Sequence, residues 1–193
     1  TSPRTRVVLG GNYVSNDITD VLYARAHPDS NMPTRLGTLD NPHIDYVMQG
    51  EVDFVWPMLA DALINGTDVS QIPGLVMQEG ADYRFNPKPG PVDVRKLPLP
   101  ARDLAKMEEY FNIGMFHSAK SKSNRVLSVM ASRGCPEVCN FCTTPELWGQ
   151  TMRWRNIDDI VAELREGIDV YKIGEIQMED DSLTARIANL KEL

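Results

Sequence analysis

The feature that most restricts this chain is where its cysteines lie. Cys135, Cys139 and Cys142 fall within one run of eight residues, Cys135-Pro136-Glu137-Val138-Cys139-Asn140-Phe141-Cys142, and no other cysteine occurs in the 193 residues. Thiols this close together cannot staple distant parts of a chain through disulfides. They must act together from one loop, so the segments on either side decide where that loop sits.

On the N-terminal side, Val126 to Ala131 is an apolar run that reads as a strand. On the C-terminal side, Ile157 to Val170 reads as a helix. Asn156 is placed to cap it, Asp158 and Asp159 suit the positive end of its dipole, and Ile157, Ile160, Val161, Leu164 and Ile168 form one apolar face. Ile173 to Met178 is a second strand, and Ile187 to Leu193 begins another helix. The order is strand, cysteine loop, helix, strand, helix. In a β/α barrel a loop that follows a strand stands at the carboxyl-terminal rim, where the chemistry of such barrels sits.

The first half has its own α/β pattern. Arg6 to Leu9 reads as a buried strand ending in Gly10-Gly11, which is either a plain strand-to-helix turn or a place where the backbone comes close to a neighbour. A short helix is expected around Asp17 to Arg25, then a loop. Ile44 to Met48 reads as a strand, and Val55, Leu59, Ala62 and Leu63 recur at helical spacing in a helix from Asp53 to Ile64 that Asn65-Gly66 stops. Alternation of strand and helix points to a parallel α/β unit. The expected division is 1–66 for this unit, 67–124 for a linker and 125–193 for the barrel segment. The linker holds a small hairpin around Glu79-Gly80, a stretch stiffened by Pro87, Pro89, Pro91, Pro98 and Pro100, a helical segment from Ala101 to Phe111 and a polar loop from Ser118 to Asn124.

Composition excludes more than it assigns. A net charge of −7 with no cluster of Lys or Arg speaks against nucleic acid and anionic membrane surfaces as partners. A small-molecule substrate is the remaining default. No run approaches the apolar length of a membrane span and no signal peptide opens the chain, so a cytoplasmic setting is expected. The sequence begins without Met, in the middle of a recognisable unit, and reads as a piece of a longer protein.

Intervals of three and then two residues let one loop wrap a cuboidal iron–sulfur cluster and reach three of its four irons. With no fourth cysteine, one iron stays open to an exogenous ligand. A Cys₃His zinc module completed by His27, His43 or His117 is the alternative. None of these histidines stands at the short spacing such modules favour.

Ser132-Arg133-Gly134-Cys135, followed by Cys139, Phe141 and Cys142, resembles the signature loop of radical S-adenosylmethionine (SAM) enzymes. That resemblance implies a [4Fe-4S] cluster on Cys135, Cys139 and Cys142. It further implies SAM bound at the open iron and cleaved to a 5′-deoxyadenosyl radical, with Phe141 near the adenine. Glu179-Asp180-Asp181, at the end of the second strand, stands where these enzymes carry a segment holding the SAM amine, which would make Asp180 and Asp181 SAM-binding. Arg153 and Arg155 resemble the Arg-x-Arg that follows the loop in many of them.

Four pieces before the loop extend the likeness: Val8 to Gly11, Val47 to Glu51, Ile72 to Leu75 and Leu97 to Leu104. In that order they resemble the region before the barrel in cobalamin (B12)-binding radical SAM proteins. The fold implied is α/β: part of a flavodoxin-like, Rossmann-like cobalamin-binding domain, then the first β/α units of a radical SAM partial TIM barrel. Gly10, Gly11, Gly50 and Glu51 would lie at the cobalamin, at the carboxyl ends of the strands. The resemblance implies methylation of an unreactive carbon on a small-molecule or natural-product-like substrate, with a reductant such as flavodoxin or ferredoxin. A methylthiotransferase is the enzymatic rival, and the absence of cysteine from the N-terminal half counts against it.

Overall fold

A computed structural model describes residues 5–11, 44–80, 82–113 and 120–186, with 188 and 191. The described chain falls into two compact units, Thr1–Val92 and Asp93–Leu193. The helices expected at Asp17 to Arg25 and Ile187 to Leu193 lie outside the described residues, the second for the most part.

The first unit is built on a sheet with the order β1-β2-β3-β4: Val8–Leu9, Tyr46–Met48, Leu75–Glu79 and Asp82–Phe85. β1 and β2 run parallel, with Val8 opposite Tyr46. Helix α1, Val55–Asn65, follows β2 and ends at Gly66, whose left-handed backbone (φ 66°) returns an N–H to the Ala62 carbonyl. The period-2 alternation of the strands sorts the sheet's side chains to two sides. Met48 and Leu75 pack with Val55, Leu59, Ala62 and Ile72 on the helix side, while Val47 and Val76 form a smaller cluster with Leu9, Ile44 and Tyr83.

Here the structure departs from the expected boundary after Gly66. The hairpin assigned to the linker is the antiparallel half of this sheet, with Met48 opposite Leu75 and Val76 opposite Phe85. The sheet is therefore mixed. Without the hairpin, β2 would leave its outer backbone groups unpaired beside buried side chains. The chain after β4 is held to the same unit: Gly74 N–H donates to the Pro87 carbonyl (2.7 Å), and Gln49 N–H donates to the Gly74 carbonyl (2.9 Å). Gly74 has φ 70°, and a Cβ there would stand 2.5 Å from the Gln49 carbonyl oxygen. Only glycine meets both demands.

The second unit opens with two 3₁₀ turns, Val94–Lys96 and Arg102–Leu104, and a short helix α2, Met107–Ile113. The single helical segment expected over Ala101 to Phe111 is thus interrupted, because Ala105 adopts an extended conformation (φ −94°, ψ 148°). Strand β5, Val126–Val129, pairs in parallel with β8, Glu175–Met178, and helix α4, Ile157–Asp169, connects them through the chain. Between β5 and α4 lie β6, Ser132–Arg133, the short helix α3, Thr144–Trp148, and β7, Arg153–Trp154. The core joins Leu127, Val129, Ala131, Trp154 and Ile160, with Leu164, Ile173 and Met178 packed against it.

Helix α4 corrects two expectations. Its buried seam is Ile160, Glu163 and Gly167, whereas Ile168 is half exposed at 52%. Glu163 enters the seam because two arginines meet it there, as described below. Asn156 stands at the N-cap, where its carbonyl accepts the Ile160 N–H, but its side chain donates to Asp159 Oδ2 (3.0 Å) and caps no backbone amide.

Candidate metal centre at the cysteine loop

The cysteine loop begins where β5 ends. After Met130 and Ala131 the chain forms β6, which pairs antiparallel with β7, Ser132 opposite Trp154 and Arg133 opposite Arg153. This two-stranded ribbon pinches the loop at its base, and it went unread in the sequence because two residues per strand carry no periodic signal. Gly134 follows at φ 95°, and a Cβ on it would stand 2.5 Å from the Thr151 carbonyl oxygen. The glycine beside the first cysteine is what lets the base close.

Within the loop, Cys135 N–H donates to the Gly149 carbonyl (3.3 Å), and Cys142 N–H donates to the Cys139 carbonyl (3.0 Å), which puts the second and third cysteines on one tight turn. Helix α3 follows at once, with Pro145 in its first turn. Cys135 is half-buried, Cys139 and Cys142 are exposed, and none of the three is in a disulfide. Val138 and Phe141 are exposed too, Phe141 at 87%. Exposed thiols beside exposed apolar side chains suit a surface that closes on a ligand.

Among the described residues, no three Cys, His, Asp or Glu side chains are gathered into a metal cage. The loop places the three cysteines together in the segment between β6 and α3. Three unbridged thiols on one short loop nonetheless match, in number and chemistry, a cluster that takes three protein thiolates. His27, His43 and His117, the partners of a zinc alternative, lie outside the described residues.

The acidic triplet after β8 reaches this loop. Asp180 receives three hydrogen bonds: Ala131 N–H donates to Oδ2 (3.1 Å), while Ser132 N–H and Ser132 Oγ–H (2.6 Å) donate to Oδ1. Asp181 Oδ1 accepts from Thr144 Oγ (3.1 Å), two residues beyond Cys142. Glu179 Oε1 accepts a long bond from Ser128 Oγ (3.4 Å). Of the two carboxylates expected at the SAM amine, Asp180 is thus already taken up by the backbone leading into the cysteine loop. Asp181 remains exposed.

The arginines expected after the loop separate. Arg153 Nη2 donates to the Trp148 carbonyl (2.7 Å) and so braces the end of α3, while Arg133 lies over the Trp148 ring, 4.8 Å from its centroid. Arg155 turns inward, where Nη1 donates to the Met130 carbonyl (3.0 Å) and pairs with Glu163 Oε2 (2.6 Å). Arg102, from the segment Leu97 to Leu104, donates to the Ser128 carbonyl (3.1 Å) and pairs with Glu163 Oε1 (2.5 Å).

In the first unit, Gly10 and Gly11 follow β1, and Gly50 and Glu51 follow β2. Because these strands are parallel, the four residues share one edge of the sheet, the edge of strand carboxyl ends. They are not alike there. Gly10 and Gly11 are exposed, whereas Glu51 is buried and accepts a long hydrogen bond from Val92 N–H (3.4 Å).

No protein-family model matches the chain. Among curated proteins, cytidylyl-2-hydroxyethylphosphonate methyltransferase of Streptomyces wedmorensis is 29% identical over 178 residues, covering 80% of this chain and 33% of that protein. An uncharacterized methyltransferase of Pyrococcus horikoshii is 30% identical over 167 residues, covering 86% and 34%. The chain spans about a third of the length of these relatives. Among solved structures, the radical SAM methyltransferase TsrM of Kitasatospora setae, with cobalamin and a [4Fe-4S] cluster bound, superimposes with a TM-score of 0.59 at 19% identity, covering 96% of this chain and 32% of that one. The likeness establishes the fold as the part of a cobalamin-binding α/β domain followed by the opening β/α units of a radical SAM barrel. In its fold, and in the cysteine loop with the segments that precede it in matching order, the chain is similar to the cobalamin-binding radical SAM proteins.

Proposed function

We propose that this chain supplies the cluster-binding loop and part of the cobalamin-binding domain of a radical SAM methyltransferase acting on an unreactive carbon of a small molecule. The observation that carries the proposal is the loop: three thiols at the carboxyl end of β5, pinched at the base by the β6–β7 ribbon, with Cys139 and Cys142 exposed. When bound, the [4Fe-4S] cluster supplies the electron that cleaves SAM, and cobalamin supplies a carrier for a methyl group.

The chain's residues divide that work. Cys135, Cys139 and Cys142 are the thiolate ligands. Phe141, exposed in the same loop, offers a ring face for the adenine to stack on. Asp181, exposed at the end of β8, is the carboxylate placed to receive an ammonium group, since Asp180 accepts three donors from the loop's own backbone and Ser132. Gly10 and Gly11, exposed at the strand-end edge of the first unit, are the favoured approach for cobalamin, and buried Glu51 supports that edge from inside. A low-potential reductant such as flavodoxin or ferredoxin would supply the electron. A reducing, cytoplasmic setting suits three thiols without a disulfide. No helix among the described residues is long and apolar enough to cross a membrane.

The test is anaerobic reconstitution with iron and sulfide, followed by metal analysis and EPR. The expected product is a brown protein with about four irons per chain, the content of a [4Fe-4S] cluster. Stoichiometric zinc with no iron uptake would replace this reading with the Cys₃His module. Cobalamin is tested separately, by titrating hydroxocobalamin into the protein and following its visible absorption.

A further inference from the structure

We infer that Asp180 and Asp181 are positioning residues for the cysteine loop, gripping it before its first cysteine and after its last. The inference rests on the cluster assignment for its purpose and on geometry for its content. Asp180, just past β8, draws on three donors at Ala131 and Ser132, the residues through which β5 passes into the loop. Asp181, the next residue, accepts from Thr144, where the chain leaves the last cysteine and enters α3. All three cysteines lie between those two points.

Burial gives the first grip its strength. Ser132 is buried at 2%, so its amide and hydroxyl have no bulk water to turn to, and a carboxylate acceptor makes each bond charge-assisted. The opposite polar groups of the same stretch are also held by charge or backbone. Met130 and Ser128 carbonyls accept from Arg155 and Arg102, and the Ala131 carbonyl accepts from Arg155 N–H (2.9 Å). The strand entering the loop is thereby fixed on both sides, while the exposed turn holding Cys139 and Cys142 is tethered through Thr144 by a weaker, exposed bond. That asymmetry makes the root rigid and leaves the two outer thiols free to settle onto a bound group.

The substitution D180N keeps the side chain's size but replaces an acceptor oxygen with an NH₂ that faces N–H donors. Amide exchange at Ala131 and Ser132 in the metal-free protein is expected to speed up by about tenfold or more, the loss of a charge-assisted bond, with the circular dichroism spectrum unchanged. After reconstitution, D180N should retain less iron than the wild type, and the reduced cluster's EPR spectrum should broaden as the ligand geometry disperses. Thr144→Val, which removes the hydroxyl that donates to Asp181 and leaves Asp180 and its donors in place, should alter the EPR spectrum while leaving the Ala131 and Ser132 amides protected. If D180N does not fold, Ser132→Ala removes one of the three donors and must still accelerate the Ala131 amide.

Unchanged exchange at Ala131 and Ser132 in D180N, or at Ala131 in Ser132→Ala where D180N does not fold, overturns the inference. So does a D180N protein with a wild-type cluster spectrum and weakened SAM binding alone, which would return Asp180 to a ligand contact. Failure of the wild type to take up iron would instead strike the proposed function, because the amide measurement is made without metal.

Discussion

Arg102 and Glu163 form an ion pair that solvent hardly reaches, Nη2 to Oε1 at 2.5 Å, with Glu163 exposed by only 1% of its side chain. Arg155 takes the other carboxylate oxygen at 2.6 Å. Two guanidinium groups thus share one buried carboxylate, and each also holds a carbonyl of the stretch leading to the cysteine loop.

The arrangement ranks three substitutions. Removing Glu163 leaves two buried cations uncompensated, so Glu163→Ala should cost about 3–5 kcal/mol of stability in the second unit. Arg102→Met leaves a one-to-one pair between Arg155 and Glu163 and fills the vacated space with apolar volume, so it should cost clearly less. Urea unfolding followed by the emission of buried Trp154 measures both. Equal losses for the two variants would mean that the triad does not act as one electrostatic unit.

Glycine substitutions separate steric from conformational cost. Gly66→Ala meets nothing within 4 Å, so its penalty is the left-handed backbone alone, about 1–2 kcal/mol. Gly134→Ala must accept the same kind of backbone and also displace the Thr151 carbonyl oxygen at 2.5 Å, a backbone atom two residues before β7. It should exceed the Gly66→Ala penalty by more than about 1 kcal/mol, the scale of overpacking a tight site. Thermal unfolding of the two variants compares them directly, and the ribbon predicts that Gly134→Ala also lowers iron retention after reconstitution.

Glu175, at the start of β8, makes the second unit sensitive to acid. Its carboxylate accepts Lys122 N–H (2.7 Å), and that backbone hydrogen bond, helped by further donors around Ser121, Gln177 and Ser123, holds it below the usual glutamate range. A group depressed in the folded state adds stability above its unfolded value of about 4.3, and the addition fades as pH falls through the lower folded value. Wild type and Glu175→Gln should therefore differ in urea midpoint at pH 6 and converge as pH is lowered below 4. A gap that persists unchanged to pH 3 would assign the effect to packing rather than to the ionised carboxylate.

The parts of this molecule legible in the sequence were those with local causes. Helix α1 announced itself through Val55, Leu59 and Ala62 at helical spacing and a glycine whose φ is 66° at its end. Strands β1, β2, β5 and β8 announced themselves as short apolar runs. What stayed hidden depended on partners far along the chain. The hairpin of β3 and β4 was visible, but its membership in the first sheet depends on Met48 finding Leu75. The burial of Glu163 had no local sign, because nothing nearby in sequence signals Arg102 or Arg155. The triplet after β8 read as carboxylates available to a ligand, and the structure spends one of them on the loop's own root. At the cysteine loop, spacing gave the donor set and its place after a strand. The ribbon closing it was invisible, since a two-residue strand has no period to detect.

The uneven exposure of the three cysteines yields a chemical fingerprint. Cys139 and Cys142 are exposed, and Cys135 is half-buried with its N–H tied to Gly149 at the pinched base of the loop. In the reduced, metal-free protein, iodoacetamide should label Cys139 and Cys142 first and Cys135 several-fold more slowly, because the reagent must reach each sulfur. Opening the base should erase the difference, so Gly134→Ala is expected to bring Cys135 up to the rate of the other two. Once a cluster is bound, all three thiols are withdrawn together, and labelling should fall at every position in parallel with the iron retained. Mass spectrometry of the digested protein reads each site separately. Protection of only two cysteines in the iron-loaded protein would remove the unprotected one from the ligand set.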